Sequence, residues 1–403
     1  MSRLPPQLQP LWPVVKRGHR WGARVLGAAG RRTVGPAHGL PRTGSERSRD
    51  TALLEPATTR IVPVGEAFTV RRTLPVGEPP AHWYFADRLE QRVPERFLLE
   101  LTEGRLQGRH AAVVTAGGVL DLETSHYFDI AGWREHPVFW NPRPRPAERV
   151  DGTVAVLAAR GTGHNYYHFL IDALPRLGML DAAHPGLRPD RWVVDTATRY
   201  QRELIAMLGL EEDRLVAPGP GFSLQARRLL VPSLPNVSTL VSPETSAWLR
   251  DRLPPRAAAS GLPERVYVTR GTTPNTRRMV HEQAVVALLR RRGFAVVDPG
   301  TLSVQEQIDH FAAARVVVAP HGAALTNLVF ARDGVRVLEL FAPTYLNGGY
   351  WSIVGNIPES RYRYVVADGP RATRPGRPQR GVMDDIDLAP ARVEQALERL
   401  LAD

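Results

Sequence analysis

The chain has 403 residues, too many for one small core, with ordinary hydrophobic (43%) and charged (23%) content, so a soluble globular protein of two domains is expected. It has no cysteine, which excludes disulfides, thiolate metal sites and cysteine nucleophiles. The net charge of +11 is uneven, +8 in residues 1–50 and +3 in the remaining 353, so the body is nearly neutral and a general nucleic-acid surface is excluded.

Residues 1–58 read as a basic, disordered tail rich in Pro, Gly and Arg. Within it, Val14–Arg32 can form a short basic amphipathic helix with Val14, Val15, Trp21, Val25 and Leu26 as its apolar residues. The tail is therefore either a solvated leader or a loose contact with an anionic membrane surface. It lacks the apolar run of a secretory signal, and no stretch approaches the ~20 apolar residues of a membrane span. The expectation is a cytoplasmic protein, at most peripheral at the inner face of the plasma membrane.

Residues 59–150 read as short strands and turns, with Ile61–Arg71 and Phe97–Leu122 rich in apolar and β-branched residues. Alternation then sets in: strand Thr153–Leu157, helix Tyr166–Leu180, strand Trp192–Asp195, helix Tyr200–Leu208, strand Arg228–Val231 and helix Pro243–Leu253. Residues 253–263 read as a linker. The second half alternates more cleanly, through strands Val266–Thr269, Ala295–Val297, Val316–Ala319 and Val335–Leu340. Helices Met279–Arg291, Val304–Ala313 and Ala324–Phe330 lie between them, and Pro390–Leu401 closes the chain. Ser303 with Glu306 forms a capping box. The expected fold is α/β, with two Rossmann-like domains facing a cleft: residues 59–252, with a β-rich irregular start, and residues 264–403.

Three clusters carry chemistry. His168, Asp172 and Arg176 are spaced i, i+4, i+8 on one helix at a strand's carboxyl end. A histidine orients the carboxylate and an arginine keeps it ionised, as a general base requires; the alternative is a surface triad. Arg270, Arg277 and Arg278 surround a Gly/Thr/Pro/Asn loop after another strand and can grip a diphosphate, or can line a solvated loop. Last, the turn His321-Gly322-Ala323 opens a helix, so its N–H groups and dipole face an anion, with Gly322 sparing a Cβ where a phosphate approaches. His321 either binds a phosphate oxygen or caps the helix, Asn327 lies further along it, and Glu339 either accepts from ribose hydroxyls or pairs with an arginine. There is no GxGxxG or P-loop motif, no DxD pair at a strand end and no metal-ligand spacing.

These segments, GHNYYHFLIDALPRL (Gly163–Leu177), VYVTR followed by RR (Val266–Arg278), GFAVVDP (Gly293–Pro299), Leu302–Phe330 with its APHGAALTN, and VLELF (Val337–Phe341), resemble glycosyltransferase family 61. The resemblance implies a GT-B-like fold and inverting transfer from a nucleotide sugar, commonly a UDP-sugar, to a saccharide or glycan acceptor, without an obligatory metal or other cofactor. It implies Asp172 as base with His168 and Arg176 in support. Arg270, Arg278, His321, Gly322, Ala323 and Asn327 would form the donor diphosphate site, with Glu339 at the ribose. It suggests a bacterial member acting in polysaccharide, capsule or cell-surface glycan synthesis. The alternatives are a pyruvyl- or other group transferase on polysaccharide, which would ignore nucleotide sugars, and a silent sugar-nucleotide-binding subunit, which would bind donor without transfer.

Overall fold

A computed structural model describes residues 11–33, 39–141, 143–236, 238–256, 261–271, 277–369 and 384–402. The protein is of the α/β class, and its chain divides into two compact units. The first is built from Leu11–Phe68 and Pro94–Pro235, the second from Thr69–Val93 and Asn236–Asp403. The expected boundary at 253–263 thus moves to 235/236 (residues 257–260 lie outside the described residues), and an early segment belongs to the second unit.

The first unit carries a ten-stranded mixed sheet. Its parallel part runs Leu215–Val216, Arg191–Val193, Glu148–Val156, Ser223–Pro232, the order 3-2-1-4 of a Rossmann sheet. Val154, Ala155, Val156 and Leu157 are all buried, as expected of a strand covered on both faces. Antiparallel strands Arg96–Thr102 and Arg105–Gln107 line the two halves of Ser223–Pro232 and extend the sheet into the β-rich region.

The tail expected to be disordered is folded over much of its length. Trp12–Thr33 is a helix, and Thr43–Ser45 and Ser48–Leu54 add a strand and a further helix. Ala23 and Leu40 share a small core with Ala112, Val114, Leu120, Trp133 and Phe139. The apolar partners lie some hundred residues downstream, which is why composition of the tail alone did not reveal them.

In the second unit a six-stranded, all-parallel sheet runs Ala295–Val297, Arg265–Val268, Val316–Pro320, Arg336–Phe341, Arg361–Val366, Val76–Glu78. Its first five strands follow the doubly wound order 2-1-3-4-5. The edge strand Val76–Glu78 comes from the early segment: a Cβ on Gly77 would sit 2.5 Å from the Tyr364 ring, so only glycine lets that ring lie against the strand. Helices Glu282–Arg291, Val304–Ala313 and Pro390–Ala402 accompany the sheet, and the Ser303–Glu306 capping box is formed. Residues 323–330, expected as an α-helix, form a tight 3-10 helix instead.

Candidate active site

In a 2-1-3-4-5 sheet, the first and third strands are neighbours whose connections leave in opposite directions, opening a crevice beyond their carboxyl ends. Here these strands are Arg265–Val268 and Val316–Pro320; Arg270 lies two residues past the first and His321 directly follows the second. The Arg270 guanidinium donates to the His321 carbonyl at 2.9 Å, joining the two strand ends. A Cβ on Gly322 would lie 2.4 Å from Arg270 Nη1. Gly322 therefore leaves room for the guanidinium beside the backbone where a phosphate was expected to approach. Burial, followed by repulsion from Arg277 and help from Arg278, lowers the Arg270 pKa to about 10.

Arg277 has a left-handed backbone (φ 75°), unusual for a residue with a side chain. Its guanidinium lies 5.3 Å from the Tyr345 ring centre. Its Nε is buried with no hydrogen-bond partner among the described residues, a costly state unless a ligand completes it. The backbone N–H groups of Arg277 and Arg278 both donate to the Asp385 carboxylate at 2.9 Å, fixing where the two arginines start. Asp385 lies over a hundred residues from them in the chain, so no local signal ties it to the two arginines.

Beneath the crevice, His321 Nδ1 meets one carboxyl oxygen of Glu339, and the Tyr362 hydroxyl donates to the other. The His321 ring stacks on Phe341 (centroids 5.0 Å apart) beside Tyr345 and Tyr350. Burial pushes the Glu339 carboxyl well above its usual range. Burial, then Arg277 and Arg270, pushes the His321 imidazole well below its own. A neutral pair follows, in which the Glu339 carboxyl proton donates to Nδ1 and leaves the hydrogen of His321 on Nε2. Glu339 is fully buried with both oxygens used, so the structure makes it the support of His321 instead of a ribose ligand. Asn327 also differs from expectation: it is fully buried, and its amide donates to Gln307 and to the Ala324 carbonyl, tying the 3-10 helix to Val304–Ala313. Ala323 begins that helix, with its carbonyl accepting from Thr326.

In the first unit, the equivalent crevice lies between Glu148–Val156 and Ser223–Pro232. Arg176 is buried there. Its guanidinium donates to the carbonyls of Leu157 (3.2 Å) and Ala158 (2.9 Å), just past the first strand, and of Pro232, at the end of the second. Burial lowers its pKa to about 9, with Asp172 opposing the shift. The expected one-face triad is corrected: Arg176 turns inward and secures the strand ends. The reason is local. Pro175 has no N–H for the Ile171 carbonyl, and the chain widens into an i→i+5 turn over Phe169–Ala173, closed by Leu174 N–H to Phe169 O at 3.2 Å.

His168 and Asp172 do come together, Nδ1 to Oδ2 at 2.7 Å, both partly exposed. Gly161, left-handed at φ 96°, brings the backbone to where a Cβ would lie 2.8 Å from the His168 ring. That ring lies 5.4 Å from Phe128, over which the Arg160 guanidinium sits at 3.6 Å.

A further carboxyl group that sequence reasoning missed is Asp195, just past Arg191–Val193. Burial raises its pKa to about 6, despite its hydrogen bond with Thr162. The Thr162 hydroxyl is 2.6 Å from the Ala159 carbonyl and 2.5 Å from Asp195 Oδ2. One hydroxyl hydrogen cannot serve both acceptors at once, so below about pH 6 a protonated Asp195 donating to the hydroxyl completes the set. Among the described residues, no three His, Cys, Asp or Glu side chains gather as a metal site would need.

A doubly wound α/β sheet with cations gathered beyond its strand ends has the chemistry to hold an anionic group. Residues 166–338 match the family model described as Glycosyltransferase 61; over that span the chain is a glycosyltransferase family 61 domain, and the protein is a glycosyltransferase. The match covers His168, Asp172 and the arginines and stops one residue short of Glu339. No curated protein matches the chain.

Proposed function

We propose that this enzyme is an inverting glycosyltransferase of GT-B-like design, moving a sugar from a UDP-sugar to a saccharide acceptor in polysaccharide or capsule synthesis at the cytoplasmic face of a membrane. The observation that carries the reading is the Arg270, Arg277 and Arg278 cluster at the switch point, with the buried Nε of Arg277 lacking a partner among the described residues. A diphosphate matches that chemistry, because guanidinium forks pair two phosphate oxygens at once.

In this reading Asp172 takes the proton of the acceptor hydroxyl as its oxygen attacks the anomeric carbon. The bond from that carbon to the donor phosphate breaks, and its electron pair leaves with the diphosphate. The arginines neutralise the leaving charge, and the neutral His321 Nε2–H donates a hydrogen bond to it. His168 orients Asp172, and Arg176 and Glu339 hold His168–Asp172 and His321 on their strand ends as positioning residues. Charge neutralisation by arginine makes transfer insensitive to chelators.

Calorimetric titration tests the donor site. UDP should bind wild type well above uridine, and Arg277→Ala should weaken UDP at least about tenfold while leaving uridine within about twofold. Equal losses for both ligands would remove Arg277 from the diphosphate. Consumption of an enolpyruvate donor with no response to nucleotide sugars would replace the reading with group transfer of another kind.

A further inference from the structure

The helix Trp12–Thr33 has two unlike faces. Its inner face is pressed onto the turns Trp133–Glu135 and Pro137–Trp140: Ala23 is fully buried, and a Cβ on Gly22 or Gly27 would lie within 2.5 Å of Trp140 or 2.8 Å of Phe139. Arg24 pairs with Glu135 at 2.5 Å, Arg20 donates to the Asp129 carbonyl at 2.8 Å, and Lys16 pairs with the Asp129 carboxylate. The rotation of the helix about its axis is therefore set by packing and by charge.

That rotation turns an apolar stripe to the solvent. Leu11 (52% exposed), Val14 (64%), Trp21 (67%) and Val25 (44%) follow one line at spacings of three, seven and four residues, with Gly18 between them. A helix packed only for its own stability would turn those residues inward. The helix also holds six basic residues, Lys16, Arg17, Arg20, Arg24, Arg31 and Arg32, and no acidic one. Arg17 and Arg24, one turn before and after Trp21, are exposed and border the stripe. An exposed narrow apolar line with an indole at its centre and a purely cationic border fits the interface of an anionic bilayer, where the apolar line enters the headgroup region and the guanidiniums meet lipid phosphates. The helix is not apolar enough to cross a membrane.

We propose that the outward face of Trp12–Thr33 docks the protein onto an anionic membrane surface, with Trp21 at headgroup depth and Arg17 against the lipid phosphates. The face belongs to the first unit and contains none of the groups assigned to glycosyl transfer, so docking stands or falls independently of that assignment.

Vesicle flotation with the full chain tests it, using neutral phosphatidylcholine vesicles and vesicles with about 30% phosphatidylglycerol. Wild type should float with the anionic vesicles and stay behind with the neutral ones, and high salt should release it. Trp21→Glu and Val25→Glu should each cut the bound fraction at least about tenfold, and Arg17→Glu should cut it several-fold, with circular dichroism and turnover on a soluble acceptor unchanged. Equal flotation of Trp21→Glu and wild type, or no flotation of wild type, would overturn the proposal. A wild-type dimer that Trp21→Glu converts to a monomer, with no vesicle binding by either, would make the face a contact between copies instead.

Discussion

Replacing Arg176 by leucine separates a structural cation from a catalytic one. Its guanidinium serves three buried carbonyls, those of Leu157, Ala158 and Pro232, and it stays charged at neutral pH despite the fall of its pKa to about 9. Leucine fills much of the volume but leaves those acceptors without donors, and losing a buried charged partner costs about 3–5 kcal/mol. For a unit of roughly 200 residues, where each kcal/mol moves Tm by about 2–4 °C, the melting point should fall by about 6–20 °C. Arg176→Lys keeps the charge but not the fork, and about half that loss is expected. Differential scanning calorimetry reads both, with single-turnover transfer measured well below the transition. At that temperature the Leu variant should retain turnover within about tenfold of wild type. The reasoning is refuted by an Arg176→Leu protein that melts within about 2 °C of wild type and transfers over about a hundredfold more slowly, since that pattern belongs to a residue at the reacting atoms.

Asp172→Asn should keep nucleotide binding while lowering turnover by about 10²–10⁴, the range for a lost general base; unchanged turnover removes the assignment. Glu339→Gln can donate to His321 Nδ1 and accept from Tyr362, so nitrogen NMR of labelled histidine should still find the His321 hydrogen on Nε2, whereas Glu339→Ala should scramble the tautomer and raise the KM for donor. A Glu339→Ala enzyme with wild-type tautomer and KM would sever Glu339 from His321. Asp195 supplies a pH signature. The unfolded chain ionises near the ordinary aspartate value and the folded chain near 6, so the unfolded state binds fewer protons between those values and stability falls as pH rises through that window. The loss is about 3 kcal/mol, complete above pH 6, and Asp195→Asn should abolish it in urea titrations; an identical pH slope in the variant would place the proton elsewhere.

Much of the second unit was legible because its signals are local. Val316–Pro320 is a continuous apolar run, Ser303 and Glu306 announce the helix after them, and Arg270 stands at the end of Arg265–Val268. The pairing of His168 with Asp172 was likewise written in their spacing. What stayed hidden depends on partners distant in the chain. Arg176 owes its burial to acceptors at 157, 158 and 232. Glu339 owes its neutral state to burial beneath residues distant in the chain, and the space beside Gly322 is taken by Arg270. The helix Trp12–Thr33 was legible as amphipathic, but which side faces the protein was set by Trp133, Phe139 and Trp140. The widened turn at Phe169–Ala173 was half visible: Pro175 announces a missing hydrogen bond, not how the chain closes around it.

The edge strand Val76–Glu78 also bears on how the chain can be made. Gly77 pairs with Tyr364, and Glu78 with Arg392 and Arg399, so this strand leaves the ribosome roughly 290 residues before the partner it lies against. At about 5–20 residues per second it waits some 15–60 s with its backbone unpaired by that partner. Slowing or halting synthesis within that interval should lengthen the exposure of an aggregation-prone edge. A fragment starting at residue 236 would lack this strand altogether, leaving the Arg361–Val366 edge open to a neighbouring chain.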